Sequence, residues 1–312
     1  MLRTLVSFGC LALLGLTLLA PVSLGWNKAT HMAIGAMMYR NLQQTSPQTL
    51  TRVVSLLKQH PYYQTQWDTL MTNRNLTGTQ RDEYLFMLAA RWSDDIKGKD
   101  AYHDHFSWHF IDYVYAPQLG IMRGDTTIPT GETILEAYEQ NRQILLGNQP
   151  DSSKAIAMCW LFNLTGDIHM PLHTTALVNT QFPKGDQGGN LFKIKVMMSS
   201  QTSNLHSFWD GVLLKDDDYP TVDSMAVSLL QTYTRDQLPQ LGKTPNIVAW
   251  SKESFQLAQD NVYRSNTLPP GADTDATVLP PDYVATVKPI AQRQVALSGY
   301  RLSDELVGDL MN

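Results

Sequence analysis

Residues 154–173 read KAIAMCWLFNLTGDIHMPLH. Up to residue 170 this is a nearly all-apolar helix, which Pro171 must kink or end. Four polar side chains interrupt it: Asn163, Asp167, His169 and His173. Asp167 follows Asn163 by one turn, on the same face. An ionised carboxylate in an apolar helix is costly unless it is paired or bound to a cation. Two readings stand: a buried hydrogen-bond network joining Asp167 to Asn163, or a ligand helix of a metal site.

The rest of the chain is also rich in helix signals. Ser46-Pro47 is an N-cap followed by proline at the first helical position, with Leu50, Val53, Val54 and Leu57 at helical spacing. Segments 81–97, 131–147, 222–236, 246–264 and 285–311 read as further helices. Strand signal is sparse; the best case is NLFKIKVMM (190–198), where Phe192, Ile194 and Val196 alternate. TLPPGADTDATVLPP (267–281) is a Pro-rich loop rather than a domain boundary, because the amphipathic helix after it needs a surface to pack on. At 312 residues and 43% hydrophobic the chain can build a substantial core. The expectation is one mostly helical domain over 26–312.

Residues 1–25 stand apart. One basic residue, an apolar run to Ala20, and small residues Ser23 and Gly25 before Trp26 make a secretory signal peptide, with export to the periplasm or the medium. No later stretch is apolar enough to cross a bilayer. Removing this segment takes away Arg3 and shifts the formal charge from −5 to −6. It also removes Cys10 and leaves Cys159 without an intramolecular partner. An acidic chain is a poor electrostatic trap for nucleic acid or anionic lipid, so a phosphate substrate needs something other than Lys and Arg to hold it.

The histidines are informative by their company. NLHSFWD places His206 and Asp210 four apart on one helical face, a spacing that can hold one metal ion or form a surface pair. RWSDDIK puts Asp94 and Asp95 at a helix end, SWHFIDY sets His109 beside Phe110, with Asp112 beyond, and WNKATH puts His31 five residues after Trp26. A free α-amine at Trp26 titrates near pH 8, so its neutral form can bind a metal. Each feature has an ordinary structural reading. Together they form an imidazole and carboxylate set without thiolate, which suits Zn2+ at a hydrolytic site.

The order W-x4-H, W-[AS]-D, H-[FY]-I-[DN], H-x3-D-x-H-x-P-L-H (its first position filled by Asn163), D-x-G-G-N and L-H-x3-D resembles the secreted trinuclear-zinc nucleases of fungi and plants, the S1/P1 nucleases, relatives of zinc-dependent phospholipase C. The motifs run from Trp26 to Asp210, and ALSGYRLSDELVGDLMN is similar to the family's last helix. The resemblance implies a mainly α single domain of the phospholipase C and zinc-nuclease type, with a metal cleft and a small β-hairpin. It implies three zinc ions. Asp94, His109 and the residue at Asn163 would hold one. The Trp26 amine and carbonyl with His31 would hold a second, bridged to the first by Asp167. His173, His206 and Asp210 would hold the third.

The same resemblance implies a phosphodiesterase cutting single-stranded DNA or RNA to 5′-phosphate products, with 3′-nucleotidase activity as a possible addition, through metal-activated water. Asp94 would orient the nucleophile and Lys97 would stabilise the transition state. Phe110, Asp112 and Asn190 would bind a base. His169 is not among the ligands and is expected to support them. The chain is expected to work as a monomer without stable membrane insertion.

Two positions depart from the pattern. Asn163 stands where the family has histidine, and Lys97 where it usually has arginine. An amide oxygen is a weaker, harder donor for Zn2+ than imidazole. Asn163 binding through oxygen, a different or absent metal, and replacement by His103 or His105 are the three outcomes. Lysine is a point charge and cannot grip phosphate bidentately. A phospholipase C activity, or a metal-binding protein without turnover, are the alternative functions.

Overall fold

The computed structural model describes residues 25–119, 121–125, 131–242 and 246–311. Residues 1–24 of the expected signal peptide lie outside them. Ten α-helices run through the described chain: α1 (Lys28–Thr45), α2 (Pro47–Leu57), α3 (Asp68–Asn73), α4 (Gly78–Asp95), α5 (Ile134–Leu146), α6 (Asp151–Ile168), α7 (Leu205–Asp210), α8 (Tyr219–Thr232), α9 (Ile247–Leu257) and α10 (Tyr283–Met311). The protein is mainly α, as expected.

The apolar helix is α6, and every residue from 157 to 168 is buried. It packs against α1, α2, α4, α5, α9 and α10, which surround it on most sides. It stops at Ile168, and Pro171 opens a 3-10 turn that ends at His173. Helix α1 lies against α4, α8 and α10. It starts at Asn27, whose side-chain oxygen accepts the Thr30 amide at 3.0 Å. Gly35 lets α1 approach α4 closely: a Cβ there would lie 2.5 Å from the Phe86 carbonyl oxygen. The close approach fixes the spacing between His31 on α1 and Asp94 at the end of α4.

The small β content is larger than the expected hairpin. Strands β1 (Tyr113–Ala116), β2 (Ile121–Asp125) and β3 (Thr175–Leu177) form one sheet, in which β1 runs antiparallel to β2 and parallel to β3. Strands β4 (Lys193–Lys195), β5 (Ser203–Asn204) and β6 (Thr277–Val278) form another, with β4 antiparallel to β5 and parallel to β6. The strand expected over 190–198 is thus much shorter. Its alternation is real at Phe192 and Ile194, both fully buried, but Val196 is exposed. The Pro-rich loop contributes β6. The α4 helix ends at Asp95, so Lys97 lies just past it.

Candidate metal centre

The helix ends converge on one buried cluster. His31 comes from the first turn of α1, Asp94 from the end of α4, Asn163 and Asp167 from α6, and His206 and Asp210 from α7. His109 and His173 close two 3-10 turns. The His31 Nε2 lies 3.1 Å from Asp167 Oδ1 and 3.5 Å from Asp94 Oδ2. The His109 Nδ1 contacts Asp167 Oδ2 at 2.7 Å, and His173 Nδ1 is 3.7 Å from Asp167 Oδ1. The His173 and His206 rings are 5.1 Å apart, and His206 Nε2 is 3.5 Å from Asp210 Oδ1. Asp167 is therefore the hub of the cluster. Lys97 pairs with Asp94 at the rim.

The imidazoles are oriented by the backbone. His173 Nδ1 donates to the His109 carbonyl at 2.6 Å, and His206 Nδ1 donates to the Gly188 carbonyl at 2.7 Å. Each ring then carries its lone pair on Nε2, which is how a metal-ligating histidine is prepared. The His173, His206 and Asp210 ligand atoms all lie within 4.8 Å of one another. Buried atoms without a hydrogen-bond partner gather here: His109 Nε2, Asn163 Oδ1 and His173 Nε2. Orphaned polar atoms are rare in protein interiors. Three in one imidazole and carboxylate cluster fit divalent cations such as zinc, and decide against a self-satisfied hydrogen-bond network on α6.

Electrostatics follow the same geometry. Burial alone would raise the Asp167 carboxyl, but His173, His109 and His31 hold it well below the usual range. Burial likewise opposes ionisation of Asp94, and Lys97 with His31 and His109 outweighs it. For His31, burial is overcome by the hydrogen bond to Asp167 and the charges of Asp167 and Asp94, so its pKa rises. His173 is pushed down to about 4, chiefly by burial. Burial and the neighbouring His173 push His206 to about 3. These two rings are neutral near pH 7, the form that binds metal.

The N-terminal segment threads through the cluster. Gly25 donates its amide to His206 Nε2 at 3.4 Å. Its φ is +100°, and a Cβ there would sit 2.3 Å from Asp167 Oδ1 and 3.1 Å from His173 Cε1. Trp26 follows, 1% exposed, and the Asn27 amide donates to the Asp210 carbonyl at 3.2 Å. The backbone at Trp26 is thus delivered among the ligands.

A cleft of about 240 Å3 opens beside His173 and His206. Phe110, Asp112 and Asn190 line it. Burial in the wall raises the Asp112 carboxyl, although its side chain is open to the cleft. Phe106, Leu172, Gln187 and Gly188 also line the cleft and were not foreseen. Phe106 is 57% exposed and meets Phe110 edge to face, with centroids 5.4 Å apart. The aromatic run in HDHFSWHF does not single it out in the sequence. Gly188 has φ +58°, and a Cβ there would lie 2.4 Å from the Leu172 carbonyl, so only glycine fits this wall.

His169 supports the ligand turn from behind. Its Nδ1 donates to the Thr165 carbonyl at 2.7 Å, and its Nε2 accepts from Arg301 at 2.6 Å. Arg301 in turn pairs with Glu253. His103 pairs with Asp100, and His105 lies flat on Trp108 at 3.8 Å. Neither replaces an imidazole at position 163.

A family model described as S1/P1 Nuclease matches residues 26–308. The chain belongs to the S1/P1 nuclease family. Nuclease S1 of Aspergillus oryzae is 28% identical over 248 residues, covering 74% of this chain and 80% of that protein. Endonuclease 3 of Arabidopsis thaliana is 27% identical over 244 residues, covering 69% and 73%. Endonuclease 4 of the same plant is 30% identical over 162 residues, covering 48% and 49%. An S1/P1 nuclease is a zinc-dependent hydrolase of phosphodiester bonds, with nucleic acid as substrate. The buried cluster is where this member of the family would hold zinc.

Proposed function

We propose that the chain is an exported endonuclease that cuts single-stranded DNA or RNA to 5′-phosphate products and acts as a monomer. Three zinc ions are expected. Asp94, His109 and Asn163 would hold the first, Trp26 and His31 the second with Asp167 between them, and His173, His206 and Asp210 the third. Bound zinc supplies Lewis acidity, which lowers the pKa of water and offsets phosphate charge on an acidic protein. The observation that carries the reading is the aromatic cleft placed directly against His173 and His206. Phe110 offers a stacking face, and Asp112 and Asn190 offer polar edges for a base. Asp94 orients the nucleophile, and Lys97 adds positive charge beside the phosphate. Stacking needs an unpaired base, which favours single strands. The cleft is below the roughly 300–1,000 Å3 of drug-sized pockets, which suits one base better than a whole lipid.

Residues 1–25 are proposed to be removed on export, leaving 26–312 as the mature domain. Two observations support this. The family match begins at Trp26, and Gly25 occupies space between Asp167, His173 and His206. No helix among the described residues is long and apolar enough to cross a membrane.

The test uses a chain starting at Trp26, a second chain keeping residues ahead of it, and three substrates: a single-stranded oligonucleotide, its duplex, and phosphatidylcholine vesicles. The expected result is chelator-sensitive cleavage of the single strand to 5′-phosphate ends by the first chain only. Head-group release from the vesicles without oligonucleotide cleavage would replace the reading with a phospholipase C. No turnover on any substrate would leave a metal-binding protein. Equal activity of the two chains would refute the Trp26 amine as a ligand.

A further inference from the structure

Asn163 has no exposed surface, yet its hydrogen bonding is only half complete. Its Nδ2 lies 3.1 Å from Asp94 Oδ2, 3.4 Å from the Ala90 carbonyl oxygen and 3.4 Å from His31 Nε2. Its Oδ1 has no partner. A buried oxygen left unpaired is destabilising, so the side chain is not placed here for a satisfied structural bond. Turning the amide over would bring Oδ1 against the Asp94 carboxylate and the Ala90 carbonyl. Three oxygens facing one another repel unless a cation, or a proton on the neighbouring His31 ring, lies between them. The amide therefore has two arrangements: amino group toward Asp94 without a cation, carbonyl oxygen toward it with one.

We infer that Asn163 makes the cation site at Asp94, His109 and Asp167 the loosely held, exchangeable site of this chain, able to take Mn2+ as well as Zn2+. A cation entering there must displace the Asn163–Asp94 hydrogen bond and turn the amide. In the chain starting at Trp26 the site at His173, His206 and Asp210 has no side-chain amide to turn, and Gly25 no longer engages His206. There the backbone carbonyls of His109 and Gly188 already hold both rings by Nδ1. The donor chemistry points the same way. The Asn163 site has one imidazole, two carboxylates and an amide oxygen, and oxygen-rich sets suit Mn2+ while imidazole suits Zn2+. The inference rests on the zinc-hydrolase reading only for the presence of cations, and cation counting needs no substrate.

The experiment compares the wild-type chain starting at Trp26 with N163H and N163D. Each is loaded with Zn2+, dialysed against citrate, and counted by elemental analysis and native mass spectrometry. Each is then titrated with Mn2+ under electron paramagnetic resonance. Circular dichroism and thermal melting establish that the variants fold. The expected result is that N163H keeps one zinc more per chain than wild type, holding it roughly tenfold tighter or better. Wild type, but not N163H, then takes up one Mn2+ per chain after dialysis. Equal zinc counts in wild type and both variants, with no Mn2+ uptake, would overturn the inference. If N163H fails to fold, N163D decides: it keeps the shape and adds an anionic oxygen. A tightly held extra zinc in N163D supports the inference, and no gain overturns it. A chain that counts cations as expected but cuts no nucleic acid would refute the nuclease reading and leave this inference standing.

Discussion

Phe110 is half-buried and lines the cleft beside His173, where a base on the proposed reading would lie next to the clustered histidines. Base–aromatic stacking contributes roughly 1–3 kcal/mol per base. F110A should therefore raise KM for a short single strand about ten- to a hundredfold, with a smaller change in kcat. Steady-state kinetics on an oligonucleotide of fixed sequence check this, and an unchanged KM would remove Phe110 from the binding site. Asp167 and His173 were legible in the sequence because each is a polar group in apolar company, whereas His31 and Asp94 stood out only through the order of the family motifs. Asp167 on α6 cannot be explained by helix propensity, and neither can His173 after a proline. Phe106 and Gln187 were not legible, because exposed aromatics and glutamines are common in loops and only the folded turn aims these two at the cleft. The position of Gly25 was equally hidden, since no local pattern tells where a chain end will lie.

Helix α1 shows the limit of periodicity. Its residues 29–39 are all buried, so the apolar pattern has no polar face to contrast with. The segment carries His31, yet its helix has no amphipathic signature. Helices with one wet face, such as α2 and α5, were placed by their patterns to within a few residues. The strands failed for a different reason. Strand β6 is two residues inside a Pro-rich loop and exists because β4 offers it a backbone to pair with. Packing between helices also sets the site. A Cβ at Gly35 would strike the Phe86 carbonyl, and overpacking of this kind costs about 1–3 kcal/mol. G35A should lower the melting temperature and also weaken zinc retention, because α1 must move away from α4 and take His31 with it. Differential scanning calorimetry and chelator competition measure the two effects. A variant with wild-type melting and zinc retention would mean that the helix pair has slack.

For the molecule as a whole, the fold places an ionisable group where pH acts on stability. Asp186 accepts the Leu177 amide at 2.9 Å and the Tyr263 hydroxyl at 2.7 Å. Burial raises its carboxyl to about 6, against the pull of the hydrogen bonds from Tyr263, Leu177 and Gly189. An unfolded aspartate titrates near about 3.9. Between these values the folded chain holds a proton that the unfolded chain does not. The contribution is full below about pH 4 and is lost as pH rises through about 6. D186N removes the buried charge, so it should stabilise the protein relative to wild type by on the order of 1–3 kcal/mol near pH 8 and little near pH 4.5. Paired thermal melts at the two pH values compare the chains. An equal shift at both, or a loss at the higher one, would refute the assignment.

Gly25 gives the proposed processing a direction in time. While it is joined to Trp26, the nitrogen of Trp26 is an amide and has no lone pair to offer a metal. The glycine amide also engages the Nε2 that His206 would present. With Gly25 still attached, the cluster closes around the chain's own backbone, as in a proenzyme. On the proposed processing, a single peptide cleavage both frees an amine and clears the cavity. Arming the nuclease then becomes the task of a protease on the far side of a membrane, and nucleic acid inside the producing cell is spared by geometry without a separate inhibitor.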